Sequence, residues 1–111
     1  MHWSNYIAIF FGGAFFSNTI PHLVNGVSGS PFQSPFAKPP GKGLSSSTVN
    51  VLWGFFNLVL AWLLLFRVAS FDLRNSCQFL AAAAGALLMS LISARGFGRF
   101  HGGNTPTRKS E

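Results

Sequence analysis

Carboxylates are nearly missing from this chain: Asp72 and Glu111 are the only two in 111 residues. Acid–base and nucleophilic catalysis lean on carboxylates to take up protons or to orient a histidine. Both stand outside the long apolar stretches, so no serine–histidine–acid set forms within one chain, and no enzymatic activity is expected. Cysteine is reduced to Cys77, which excludes an internal disulfide and leaves the redox compartment unread. Charge as a whole is scarce, at 9% of residues against about 25% in soluble domains. So few charged side chains cannot coat a water-facing exterior. There is also no Lys or Arg before Lys38. A secretory leader would carry a basic start and a small-x-small cleavage site, so the first apolar stretch reads as an uncleaved span.

What fills the chain instead is apolar sequence: 49% hydrophobic residues, with 13 Phe and 3 Trp. The pattern predicts an all-α membrane protein, a single domain over 1–111, with three transmembrane helices at about 6–24, 49–66 and 77–94. A long Pro/Gly-rich loop (25–47) joins the first and second, and a basic tail (95–111) follows the third. Residues 6–24 make about 28 Å of helix, and the other two spans are near the lower limit for crossing. The short turn between the second and third spans predicts that those helices are antiparallel neighbours. The run Ala81-Ala82-Ala83-Ala84-Gly85-Ala86 permits close backbone approach to another helix. Gly12 and Gly13 fall about level with Ala83, so first-to-third helix contact is expected there.

The loop is too long for a simple return. Pro31, Pro35, Pro39 and Pro40 restrict it, and the near-repeat Pro31-Phe32 and Pro35-Phe36 adds apolar surface that seeks burial. An ordered cap is expected, with Phe32 or Phe36 docked near His22 and Trp53. Ser45-Ser46-Ser47-Thr48 supplies capping hydroxyls for the second helix.

Helical rise serves as a depth gauge for the polar residues in the spans. Measured from the loop-side ends, Asn18 lies about 9 Å in and Asn57 about 12 Å, close enough to meet. His22 lies about 3 Å in, and Trp53 and Ser90 about 6 Å. These five form a candidate polar cluster. One reading is an interhelical clasp worth roughly 0.6 kcal/mol per hydrogen bond. The other is a ligand or ion site, since polar groups at membrane depth face protein or water-filled cavities. A metal or haem at His22 would need further ligands. His2 stands at the start of the chain, His101 in the tail and Cys77 at the opposite end, so no metal and no cofactor are expected. PPGKGLSSS fails as a phosphate loop because Gly43, not Ser or Thr, follows Lys42 and no strand precedes it. RGFGRF directly follows a span, which favours a membrane-surface anchor over an RNA-binding segment, and no nucleic-acid partner is expected.

His22 with Asn25-Gly26, then PFQSPFAKPPGKGLSSS, then Asn50-Val51-Leu52-Trp53-Gly54 is similar to a group of small, uncharacterised bacterial multi-span membrane proteins. The resemblance covers 21–56 and implies an inner-membrane protein; it brings no activity and no catalytic residue. The expected role is a non-enzymatic accessory or scaffold subunit, with the lipid bilayer, a second copy or a larger membrane complex as partner. Two alternatives stand beside it. One is an oligomeric transporter or channel lined by Asn18, His22 and Asn57. The other is a quinone- or haem-associated redox anchor using His22 and Trp53.

Orientation follows from counting basic residues. Arg67 and Arg74 share a side with the N-terminus; Lys38, Lys42, Arg95, Arg99, Arg108 and Lys109 share the other. Basic residues favour the cytoplasmic side, which places the loop and tail in the cytoplasm and the N-terminus outside. A C-terminal green fluorescent fusion is expected to glow and a C-terminal alkaline phosphatase fusion to be inactive. The reverse pair of results would overturn either the span count or the orientation.

Overall fold

A computed structural model describes residues 2–106; Arg108, Lys109 and Glu111 of the tail lie outside them. Three helices carry the fold: α1 (Trp3–Val27), α2 (Ser47–Trp62) and α3 (Ser76–His101). α2 runs on as a π-helical stretch, Leu63–Val68. Taken as Trp3–Val27, Ser47–Val68 and Ser76–His101, all three helices are long and apolar enough to cross a membrane. They overrun the expected spans at both ends. α1 begins three residues earlier and continues through Pro21 to Val27, where Asn25 Nδ2 donates to the Pro21 carbonyl at 2.7 Å. α3 does not stop at Ala94 but takes in the RGFGRF stretch, and Gly102 ends it with φ of 79°. That left-handed turn is one glycine adopts without strain. The helix starts are capped as hydroxyl and amide side chains allow: Ser46 Oγ accepts from Val49 N–H at 3.2 Å, and Asn75 Oδ1 from Gln78 N–H at 3.1 Å.

The order of the helices differs from the expectation. α1 lies between α2 and α3, which make almost no direct contact with each other among the described residues. The short turn does not force neighbours, because the seven residues 69–75 can reach about 23 Å when extended and so pass over the start of α1. There Ala8 and Ile9 of α1 are buried with Ala69, against Leu64, Leu65, Phe71, Ala81 and Ala82. The π-helical stretch aims the chain into this crossing: Ala69 N–H reaches Leu64 O at 3.1 Å and Phe71 N–H reaches Leu65 O at 2.9 Å.

Close packing explains why α1 is central. A Cβ on Gly13 would collide with the Ala82 carbonyl, and one on Gly85 with the Phe10 carbonyl. The two glycines interlock α1 and α3 backbone to backbone, which is how helices associate where lipid supplies no hydrophobic drive between them. Gly12, one position over, faces α2 and its extension instead, beside Leu65 and the Ala61 carbonyl. Nearer the loop, Gly26 and Gly54 give α1 and α2 the same intimacy.

The loop is an ordered hairpin. Two short strands, β1 (Phe32–Gln33) and β2 (Leu44–Ser45), pair antiparallel with Phe32 opposite Ser45 and Gln33 opposite Leu44. The Ser34 carbonyl accepts from both Ala37 N–H (3.3 Å) and Gly41 N–H (2.8 Å), which closes the tip. Overpacking a tight contact typically costs about 1–3 kcal/mol. Gly13→Leu is therefore expected to lower the unfolding midpoint in detergent by clearly more than Leu60→Ala. Equal midpoints would remove the glycine interlock as a determinant of the fold.

Candidate functional site

Polar side chains within the helices gather toward the loop end, in layers set by helical rise. In the first layer two adjacent residues of α1 face opposite neighbours. Ser17 Oγ shares a hydrogen bond with Ser90 Oγ of α3 at 2.8 Å, and Asn18 Nδ2 donates to Asn57 Oδ1 of α2 at 3.0 Å. Asn57 Nδ2 in turn donates to the Trp53 carbonyl at 2.7 Å, which fixes its oxygen as the acceptor for Asn18.

One turn further on, His22 Nδ1 and Asn50 Oδ1 are 2.8 Å apart, both residues almost fully buried. The Asn50 amide nitrogen is surrounded by three carbonyls: Phe32 O at 3.1 Å, Ser45 O at 3.2 Å and Ser46 O at 3.1 Å. An amide has two N–H donors, so one hydrogen is shared, and the surrounding carbonyls leave Oδ1 to accept. His22 must then donate from Nδ1, and its Nε2 faces away from Asn50. Asn50 thereby joins α1, α2 and both strands of the hairpin through one side chain.

Aromatic rings seal this layer. Phe32 is buried, 5.7 Å from His22 between centroids, while Phe97 of α3 stands 5.8 Å from His22 and 4.6 Å from Phe32. Phe36 meets Trp53 edge-on at 5.2 Å but keeps much of its surface exposed. The expected alternative, Phe32 or Phe36, is resolved as both, on different partners. His101 closes the top: its ring stacks on Phe32 at 5.1 Å with planes 7° apart, and its Nε2 pairs with Gln33 Oε1 at 2.8 Å.

Of the five residues expected to cluster, Asn18, Asn57, His22 and Trp53 come together. Ser90 does not join them, because it lies on α3 and binds Ser17 and the Ala86 carbonyl on the far side of α1. Sequence reasoning missed Asn50, whose spacing of seven from Asn57 put both amides on one face of α2, two turns apart. It also missed Gln33 and misplaced His101, which is the last residue of α3 rather than part of a free tail. Among the described residues no group of three or more His, Cys, Asp and Glu side chains converges. Asp72 is in the turn at the opposite end, where Oδ1 accepts from Arg74 N–H at 2.9 Å.

Between cap and helices a cavity of about 370 Å³ is lined by Asn18, His22, Gln33, Ser34, Trp53 and Phe97, among others. Trp53 Nε1 is buried and has no hydrogen-bond partner among the described residues. No protein-family model, curated protein or solved structure matches this chain.

Removing one partner of a buried polar group costs about 1–3 kcal/mol. Asn50→Leu takes the amide away from the Phe32 and Ser45 carbonyls and leaves His22 Nδ1 without its acceptor, while Ser46 O keeps the backbone N–H of residue 50, so the cap should open more often. Trypsin cleavage after Lys42 in detergent is expected to speed up roughly tenfold, with helix content unchanged. An unchanged rate would show that the cap is held by something other than Asn50.

Proposed function

We propose that this chain is a non-enzymatic, multi-pass protein of a bacterial inner membrane, with loop and C-terminus in the cytoplasm. Its hairpin cap is a preformed platform on which a protein partner in a larger membrane complex docks. The observation that carries this reading is the fourfold anchoring of the Asn50 side chain, which fixes both strands of the hairpin on the helix ends. A return loop needs none of this, whereas a recognition surface gains from order established before binding. The cap also displays Phe36 and Leu44, both more than half exposed, beside Lys38 and Lys42. Apolar anchors with a charged rim are the composition of a docking patch. Resemblance over 21–56 to small bacterial multi-span proteins supports the same setting.

A second reading rests on a separate observation, that Trp53, which lines the cavity, has a buried N–H that meets no acceptor among the described residues. A small ligand in the cavity would donate to His22 Nε2 and would accept from Trp53 once the side chains that enclose the indole N–H move aside, which suits a transported solute or a quinol-type headgroup. Against a pore through one chain stand the layers below Asn18, where Gly13 and Gly85 interlock and Ile9 is buried.

Replacing 28–43 by a Gly/Ser linker tests the platform. The variant should remain in carbonate-washed membranes and lose whatever protein co-purifies with the intact chain in mild detergent. Full retention of the co-purifying protein would overturn the docking role.

A further inference from the structure

We propose that the loop end of α3 holds one anionic phospholipid, its phosphate on Arg95 and Arg99 and one acyl chain running down the helix past Gly96. The proposal rests on the membrane-spanning reading of the helices. It does not depend on which partner the cap binds, although Gly41 at the tip of the cap lines part of the site.

Gly96 provides the first argument. Glycine is among the least favourable residues inside a helix, and elsewhere in this fold helical glycines have a packing reason. At Gly13 and Gly85 a Cβ would strike the backbone of a neighbouring helix; at Gly96 it would meet nothing within 4 Å. The missing side chain makes room for no part of the described protein, so the space is left for something outside it.

Charge provides the second. Arg95 and Arg99 are one helical turn apart and therefore share a face, and both are exposed. No carboxylate among the described residues lies on their side, since Asp72 is in the turn at the other end. Arg99 leans over the gap, with Nε 3.5 Å from the Gly96 carbonyl and its guanidinium 5.6 Å from the Phe100 ring. Asn104 folds back to donate to the Arg95 carbonyl at 3.2 Å, forming the upper rim.

Shape joins the two. A hollow of about 310 Å³ lies among Arg95, Gly96, Arg99 and Asn104. A second, of about 190 Å³, includes Gly96 and Arg99 again, has Asn18 of α1 and Gly41 of the cap on its inner side, and reaches Met89, Ile92 and Phe100. The shared residues make one groove, cationic at the top and mostly apolar below along Met89, Ile92, Phe97 and Phe100, which is the profile of a phospholipid seen from headgroup to chain. Each basic side chain near an anionic surface contributes on the order of fivefold in binding, so the pair gives roughly 25-fold.

Native mass spectrometry of the full chain in detergent, with phosphatidylglycerol and phosphatidylethanolamine in competition, tests the site. One bound phosphatidylglycerol is expected, preferred at least tenfold. Arg95→Gln/Arg99→Gln should abolish the preference. Gly96→Leu, which fills open space and leaves charge unchanged, should weaken retention of both lipids. Arg74→Gln at the opposite end should change nothing. Equal retention of the two lipids, or a preference that survives Arg95→Gln/Arg99→Gln, would overturn the proposal. So would displacement by millimolar inorganic phosphate, which would mark a simple anion site without a chain groove. Carbonate extraction keeps the underlying reading separate: release of the chain from membranes refutes the spans themselves, whereas a carbonate-resistant chain without lipid preference refutes only the site.

Discussion

One primary amide holds the upper part of this molecule together. Asn50 accepts from His22 and donates into three carbonyls, two of them on the strands of the hairpin and the third at the start of its own helix. Each such bond is worth little by itself, roughly 0.6 kcal/mol between membrane helices. Their weight lies in what happens when one is missing, since an unmet polar group away from water costs more than a met one returns. The arrangement therefore selects a single position for the cap without adding much to overall stability. A hairpin that slid by one residue would bring β-strand N–H groups against Asn50 where carbonyls now stand, and would expose Phe32.

Beneath that amide, the fold depends on α1 reaching two neighbours at once. Successive helical residues point about 100° apart, so adjacent positions serve different partners: Gly12 and Asn18 face α2, Gly13 and Ser17 face α3. The same alternation twice over, first with glycines and then with polar side chains, locks a three-helix layer in which the outer helices need not touch. Large side chains at Leu87, Leu88, Leu91 and Ile92 remain exposed on α3 as a result. On a water-soluble protein such a surface would be a liability. Against acyl chains it is the ordinary exterior of a helix.

Much of this was legible in the chain. Run length and scarcity of charge gave the three helices, and helical rise put Asn18 level with Asn57 and Gly13 level with the alanine run of α3. What escaped was lateral order, because rise measures depth along a helix and says nothing about which neighbour lies beside it. Ser90, expected in the layer of Trp53, instead bonds Ser17 one layer deeper and on the far side of α1. The ends of α1 and α3 escaped as well. α1 was expected to end at 24 and α3 at 94, yet α1 runs to Val27, and the stacking of His101 on Phe32 rewards continuing α3 to its last turn. Local propensity was overridden by contacts with a loop far away in the sequence.

The distribution of satisfied and unsatisfied groups also bears on how a cap and a cavity coexist. Asn57, Asn50, Ser34 and Gln33 all spend hydrogen-bonding capacity on other parts of the chain. Trp53 Nε1 does not, and His22, donating from Nδ1, faces its Nε2 away from Asn50. A purely structural cap would gain by replacing Trp53 with a ring that carries no N–H, because the indole donor is buried at a cost of about 1–3 kcal/mol. Order at Asn50 and the unmet donor at Trp53 are thus of opposite kinds: the first fixes the hairpin over the helix ends, and the second is a buried N–H that no acceptor among the described residues meets.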